Sequence, residues 1–190
     1  KKVKCDFICK EALAVDAILE ASKKIRPYLI VMGTKGASGA KEVILGSNTA
    51  KVIEKAKCPV IAVPEGASFK GIKQIVFSTN YHASDLDALK TIVGIAKIFK
   101  GRLVLLHAAD EELTKEAEVG LMQNFTKAIS RKIKYDKISC LIKYGKQPEK
   151  IMQEYIREEK PDIIAMSTQR RNLLEKFFGS SITKKMAYHT

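Results

Sequence analysis

Residues 33–48 read Gly33-Thr-Lys-Gly-Ala-Ser-Gly-Ala-Lys-Glu-Val-Ile-Leu-Gly-Ser-Asn48, and the fold follows from this stretch. An apolar run, Tyr28-Leu-Ile-Val-Met32, precedes it and stops at glycine; a helical pattern starts near Asn48. A buried strand, a glycine-rich loop and a helix start, in that order, suit a bound phosphate. Glycine turns the backbone through positive φ and lets an anion approach main-chain N–H groups. The helix start adds unpaired donors and the positive end of the dipole. Ser47 and Asn48 can cap the helix or turn to a phosphate oxygen. An ordinary βα loop with a capped helix is the structural alternative.

The spacing Gly33-x2-Gly36-x9-Gly46-Ser47 is not a Walker A loop, because no Gly-Lys-Ser/Thr closes it. Nor is it the dinucleotide fingerprint, whose third glycine lies much closer. It resembles the nucleotide-binding loop of universal stress proteins, G-x2-G-x9-G-[S/T]. Two flanks agree with that family: Leu29-Ile-Val-Met-Gly-Thr34 before the loop and Ala56-Lys-Cys-Pro-Val-Ile-Ala-Val-Pro64 after its helix.

Working outward, Val3–Cys9 alternates as a strand, and Ala12–Ile25 spaces Leu13, Val15, Ile18, Leu19 and Ala21 as a helix. The pattern predicts a helix over about Asn48–Lys57, a strand over Pro59–Val63 and a linker over Pro64–Gly71. A second series follows: strand Gln74–Thr79, helix Ser84–Phe99, strand Arg102–His107 and a long helix Glu111–Ile133 with a possible break at Gly120. Strand Ile138–Lys143, helix Gln147–Glu159 and strand Asp162–Ser167 complete it. Alternating strands and helices predict an open parallel sheet covered on both faces.

The chain repeats itself. Pro27-Tyr-Leu-Ile-Val-Met-Gly-Thr34 pairs with Pro161-Asp-Ile-Ile-Ala-Met-Ser-Thr168, and Leu45-Gly-Ser47 with Phe178-Gly-Ser180. The whole chain therefore resembles a tandem universal stress protein. The resemblance implies a Rossmann-like α/β fold of the adenine nucleotide alpha hydrolase type, in tandem modules of strand order 3-2-1-4-5. Residues 1–64 would supply the third to fifth strands of a first module, 65–71 the linker, and 72–190 the first strand through the fourth helix of a second. Both termini look incomplete against that plan. The resemblance also implies ATP, or AMP or ADP, as ligand, with magnesium as an optional companion. Met32, Gly33, Gly36, Gly46, Ser47 and Asn48 would hold it.

In the second half Ser167 and Arg170 replace the leading glycines, and only eight residues separate Arg170 from Gly179. Arginine there puts a side chain where backbone should meet phosphate, although Arg170 and Arg171 can bind anions themselves. Asn80 stands where the family usually has an aspartate. The expectation is one nucleotide site, in the first half.

Hydrophobic residues make up 46% of the 190, enough for a real core, and no apolar run approaches the ~20 residues that span a bilayer. Cys5, Cys9, Cys58 and Cys140 lack metal-ligand spacing and read as buried small residues in a reducing cytoplasm. The net charge of +13 is spread over both halves, with no tryptophan and no strip of aromatic and basic residues. Nucleic-acid binding is therefore the weakest reading. His82, His107 and His189 are scattered and no nucleophile elbow occurs, so no catalytic residue is assigned and any ATP hydrolysis should be slow. A nucleotide sensor or regulator is the leading expectation, paired as a homodimer or between its own modules. A nucleotide-free interaction scaffold of the same fold is the alternative.

Overall fold

The computed structural model describes residues 3–34, 46–109 and 114–167. The elements run α1 (Ala14–Ile25), β1 (Ile30–Gly33), α2 (Ser47–Lys55), β2 (Val60–Val63), β3 (Gln74–Ser78), α3 (Ala83–Phe99), β4 (Arg102–Ala109), α4 (Lys115–Lys132), β5 (Ile138–Tyr144), α5 (Pro148–Glu159) and β6 (Ile163–Met166). All described strand pairs are parallel. β1 and β2 form one small sheet, and the second sheet has the order β5-β4-β3-β6.

That second order follows from the sequence. β3 and β4 are continuous apolar runs and take the two central positions, covered on both faces as central parallel strands must be. Successive side chains point to opposite faces. Ile75, Phe77, Leu103 and Leu105 pack under α3 and α4 with Leu89, Val93, Phe125 and Ile129. Val76, Val104 and Leu106 face the other way, onto Met152, Tyr155 and Ile156 of α5. The β6 edge is fixed by Asp162, whose Oδ2 accepts from the backbone N–H of Lys73 and of Gln74 at 2.7 and 2.9 Å.

Several expectations need correction. Val3–Cys9 forms no strand: it is irregular, and Val3, Phe7 and Ile8 are exposed. Its alternation is that of a strand, but no described element lies alongside to complete a ladder. Cys5 and Cys9 are consequently exposed rather than buried. The expected α1 stripe is only half-covered, with no fully buried residue and Leu13 outside the helix as its N-cap. β1 starts at Ile30 and leaves Val31 60% exposed, so it is not the buried strand that its apolar run suggested. α4 passes Gly120 without a break. Its flanking residues are good helix formers, which absorb the ~1 kcal/mol that an interior glycine costs.

Candidate functional site

β1 and β2 pair from Ile30 opposite Val60 to Gly33 opposite Val63, so their carboxyl ends share one edge. α2 begins at that edge. Thr34 N–H donates to the Val63 carbonyl at 2.9 Å, and Gly46 N–H donates to the Thr34 carbonyl at 2.6 Å. The Thr49 hydroxyl donates to the Gly33 carbonyl at 2.8 Å. These bonds tie the end of β1 to the start of α2. Gly33 and Thr34 are thereby bonded to the start of α2 through Thr49 and Gly46. Gly36 lies outside the described residues.

The start of α2 differs from every other described helix start in one respect: its first turn holds no acidic residue. Like α1, α3 and α5 it has no side-chain cap, its N-cap being Gly46. α1, α3, α4 and α5 carry Asp16, Asp85, Glu116 with Glu118, and Glu149 in their first turns. A helix start presents roughly half a positive charge through unpaired N–H groups. At α2 nothing on the helix compensates it, and Ser47 and Asn48 are exposed. Thr34 is 93% buried by its 7% exposure, and its hydroxyl has no hydrogen-bond partner. Such an edge accepts an anion with several oxygens, and these residues fit a phosphate group.

The second sheet is built differently at its carboxyl edge. Ser167 follows β6 half-buried, while Arg170, Arg171, Gly179 and Ser180 lie outside the described residues. Asn80 is exposed, and its backbone N–H donates to Asp85 at 3.3 Å. The Thr79 hydroxyl donates to the same Asp85 oxygen at 2.8 Å and accepts from Tyr81 N–H at 2.9 Å. This turn holds Tyr81 at φ 64, a conformation uncommon outside glycine. Its ring then lies over His107, centroids 4.4 Å apart, and beside Phe125 at 5.5 Å.

His107 lies inside β4, two residues before its end, and is buried. Nδ1 sits 2.8 Å from the Thr79 carbonyl, which only accepts, so Nδ1 carries hydrogen. Nε2 sits 3.2 Å from Oε2 of Glu118, itself 97% buried by its 3% exposure. The pair does not have hydrogen-bond geometry, and Oε2 has no hydrogen-bond partner. Sequence reasoning missed Thr34, Thr49, Asp85, Tyr81 and Glu118. The bare first turn of α2 was readable as Ser-Asn-Thr-Ala; the burial of Glu118 was not. Among the described residues no group of histidine, cysteine and carboxylate could hold a metal.

Burial, with Glu118 adding repulsion, pushes the Tyr81 phenol well above its ordinary range, and its hydroxyl has no partner. Below the ordinary phenol value of about 10 both folded and unfolded chains keep this proton. Above it the unfolded chain releases the proton and the folded one does not, so stability falls as pH rises. Tyr81→Phe should therefore leave stability at pH 7 unchanged or higher and shallow the alkaline fall. Tyr135 and Tyr155, also shifted upward by burial, retain their share of it. Urea unfolding of both proteins from pH 8 to 11 checks this; parallel curves would refute it.

The universal stress protein family model matches this chain in two stretches, residues 1–64 and 71–190. A universal stress protein of Methanocaldococcus jannaschii is 42% identical over 53 residues, which are 28% of this chain and 31% of that protein. Universal stress protein YxiE of Bacillus subtilis is 38% identical over 63 residues, 33% of this chain and 43% of that protein. The crystal structure of a universal stress protein from Archaeoglobus fulgidus superposes with a TM-score of 0.62 at 21% identity. That superposition covers 93% of this chain but 62% of the Archaeoglobus chain, so the present chain spans less than two thirds of it. Nearly every described element thus has its counterpart in one fold, an α/β fold with parallel sheets of the Rossmann-like, adenine nucleotide alpha hydrolase type. The chain belongs to the universal stress protein family.

Proposed function

We propose that this chain is a nucleotide-dependent regulator that binds ATP, or AMP or ADP, at the joint of β1 and α2. The observation that carries the reading is the start of α2: an uncapped helix N-terminus with no first-turn acid, at the carboxyl edge of a parallel sheet. Ligands of open α/β sheets bind at that edge. In this reading the N–H group of Ser47 takes a phosphate oxygen, Gly46 leaves the helix start open to the phosphate because it carries no side chain, and Asn48 adds a side-chain donor. Met32 and Gly33 flank the sugar, and Gly36 brings its backbone from the loop. Magnesium, where present, accompanies the triphosphate. No catalytic base is assigned, so the protein signals by being loaded or empty rather than by turnover.

The same reading takes residues 1–64 and 72–190 as parts of two modules joined by 65–71, in a cytoplasmic protein. It takes β2 as the pairing edge, within the chain or between two chains. Among the described residues β2 has one neighbour, β1, and is bracketed by Pro59 and Pro64, which limit further strand addition. No described helix is long and apolar enough to cross a membrane.

Native mass spectrometry of the purified protein tests ligand and assembly together. The expected result is one adenine nucleotide per chain, either carried through purification or taken up from added ATP, with the number of chains read from the same spectrum. A mass that stays free of nucleotide at millimolar ATP would favour the scaffold instead.

A further inference from the structure

Thr34 and Thr79 hold the same place in the two sheets. Each is the first residue past a strand, and each carries the pairing one step further. Thr34 N–H donates to the Val63 carbonyl of β2, and Thr79 N–H to the Leu106 carbonyl of β4. Both residues are buried, and both are bonded to the start of a helix, Thr34 to Gly46 before α2 and Thr79 to Asp85 of α3.

Their hydroxyls fare differently. The Thr79 hydroxyl donates at 2.8 Å to Oδ2 of Asp85, the third residue of α3. That carboxylate also takes the Asn80 N–H, so the start of α3 has an anion of its own. The third residue of α2 is Thr49, which is neutral and turns its hydroxyl to the Gly33 carbonyl. Among the described residues the Thr34 hydroxyl has no partner.

The strand fixes where that hydroxyl lies. Side chains alternate between the faces of a sheet. β1 half-buries Ile30 and Met32 and exposes Val31 and Gly33, so Thr34, extending the ladder, falls on the covered face. α2 meets this end of the strand through Thr49, one of its own buried residues. A buried hydroxyl left unpaired is unfavourable, and beside a helix start its natural partner is an anionic oxygen. Thr79 finds that oxygen in a carboxylate; the first turn of α2 supplies none.

We propose that the Thr34 hydroxyl donates to a phosphate oxygen of the ligand, so that the phosphate does at α2 what the Asp85 carboxylate does at α3. The inference rests on the nucleotide reading above, to which it adds a side-chain ligand outside the glycine spacing.

Calorimetric titration with ATP and thermal melting of the free protein, on the wild type, Thr34→Val and Thr34→Ser, test it. Valine keeps the shape and removes the donor. Thr34→Val should melt at or above the wild-type temperature and bind ATP at least tenfold more weakly. Thr34→Ser keeps the hydroxyl and should bind within about threefold of wild type. A wild type without affinity for ATP overturns the nucleotide reading and this inference with it. A wild type that binds, beside a Thr34→Val protein that binds equally well, overturns the inference alone. So does a free Thr34→Val protein that melts lower, since its hydroxyl was then already bonded, or a Thr34→Ser protein as weak as Thr34→Val.

Discussion

His107→Phe should cost far more stability than Glu118→Gln, although the two residues form one contact. Phenylalanine matches the ring's place under Tyr81 but leaves two orphans: the Thr79 carbonyl, 2.8 Å from Nδ1, and the buried Glu118 carboxylate. Leaving a buried polar group unpaired costs about 1–3 kcal/mol, so the two together cost roughly 2–6 kcal/mol. That is a large share of the ~5–15 kcal/mol that holds a typical domain. Glu118→Gln removes the charge, keeps the shape and leaves Nε2 facing an amide, which should cost about 1 kcal/mol. Adding Glu118→Leu to His107→Phe removes the orphaned carboxylate and should restore more than half of the loss. Urea midpoints of the four proteins measure the pattern. Equal, small losses in both single variants would mean that Glu118 reaches water and the pair is not a buried unit.

The sequence was most legible where burial is continuous. Gln74–Thr79 and Arg102–His107 read as strands, and they form the central pair β3 and β4; the repeat with residues 27–34 announces the βα joint. It was least legible where a neighbour decides the outcome. Val3–Cys9 has strand alternation, but a ladder needs a partner and none is described beside it. Alternation reports which side chains are compatible with one face, not whether that face meets anything. Glu118 has the same ambiguity in reverse. From sequence it is an unremarkable acid in the first turn of a helix; only the pairing of β4 beneath α4 places His107 opposite it. At the joint of β1 and α2, Gly33, Gly46, Ser47 and Asn48 were legible as types. The bonds that join the strand to the helix were not, since they run through the carbonyls of Gly33 and Thr34 and the hydroxyl of Thr49, none of which spacing reveals.

Gly46→Asp should separate what α2 needs from what a phosphate needs, because the two effects have opposite signs. As an N-cap, aspartate accepts from the first-turn N–H groups that Gly46 leaves uncapped, and its charge faces the positive helix end. Capping gains a few tenths of a kcal/mol over glycine, and the dipole adds ~0.3–1. The melting temperature should therefore stay level or rise. For ATP the same carboxylate occupies the donors and repels the phosphates. Each charged hydrogen bond lost costs about 1.5–3 kcal/mol. Two lost bonds lower affinity about a hundredfold or more. Stoichiometry completes the argument: with Ser167 and Arg170 in place of glycines, the second half should not take over, so titration falls from one ATP per chain to none. A melting temperature that rises while calorimetry shows wild-type ATP affinity would move the nucleotide away from α2. Retained binding that disappears on Arg170→Ala would place it in the second half.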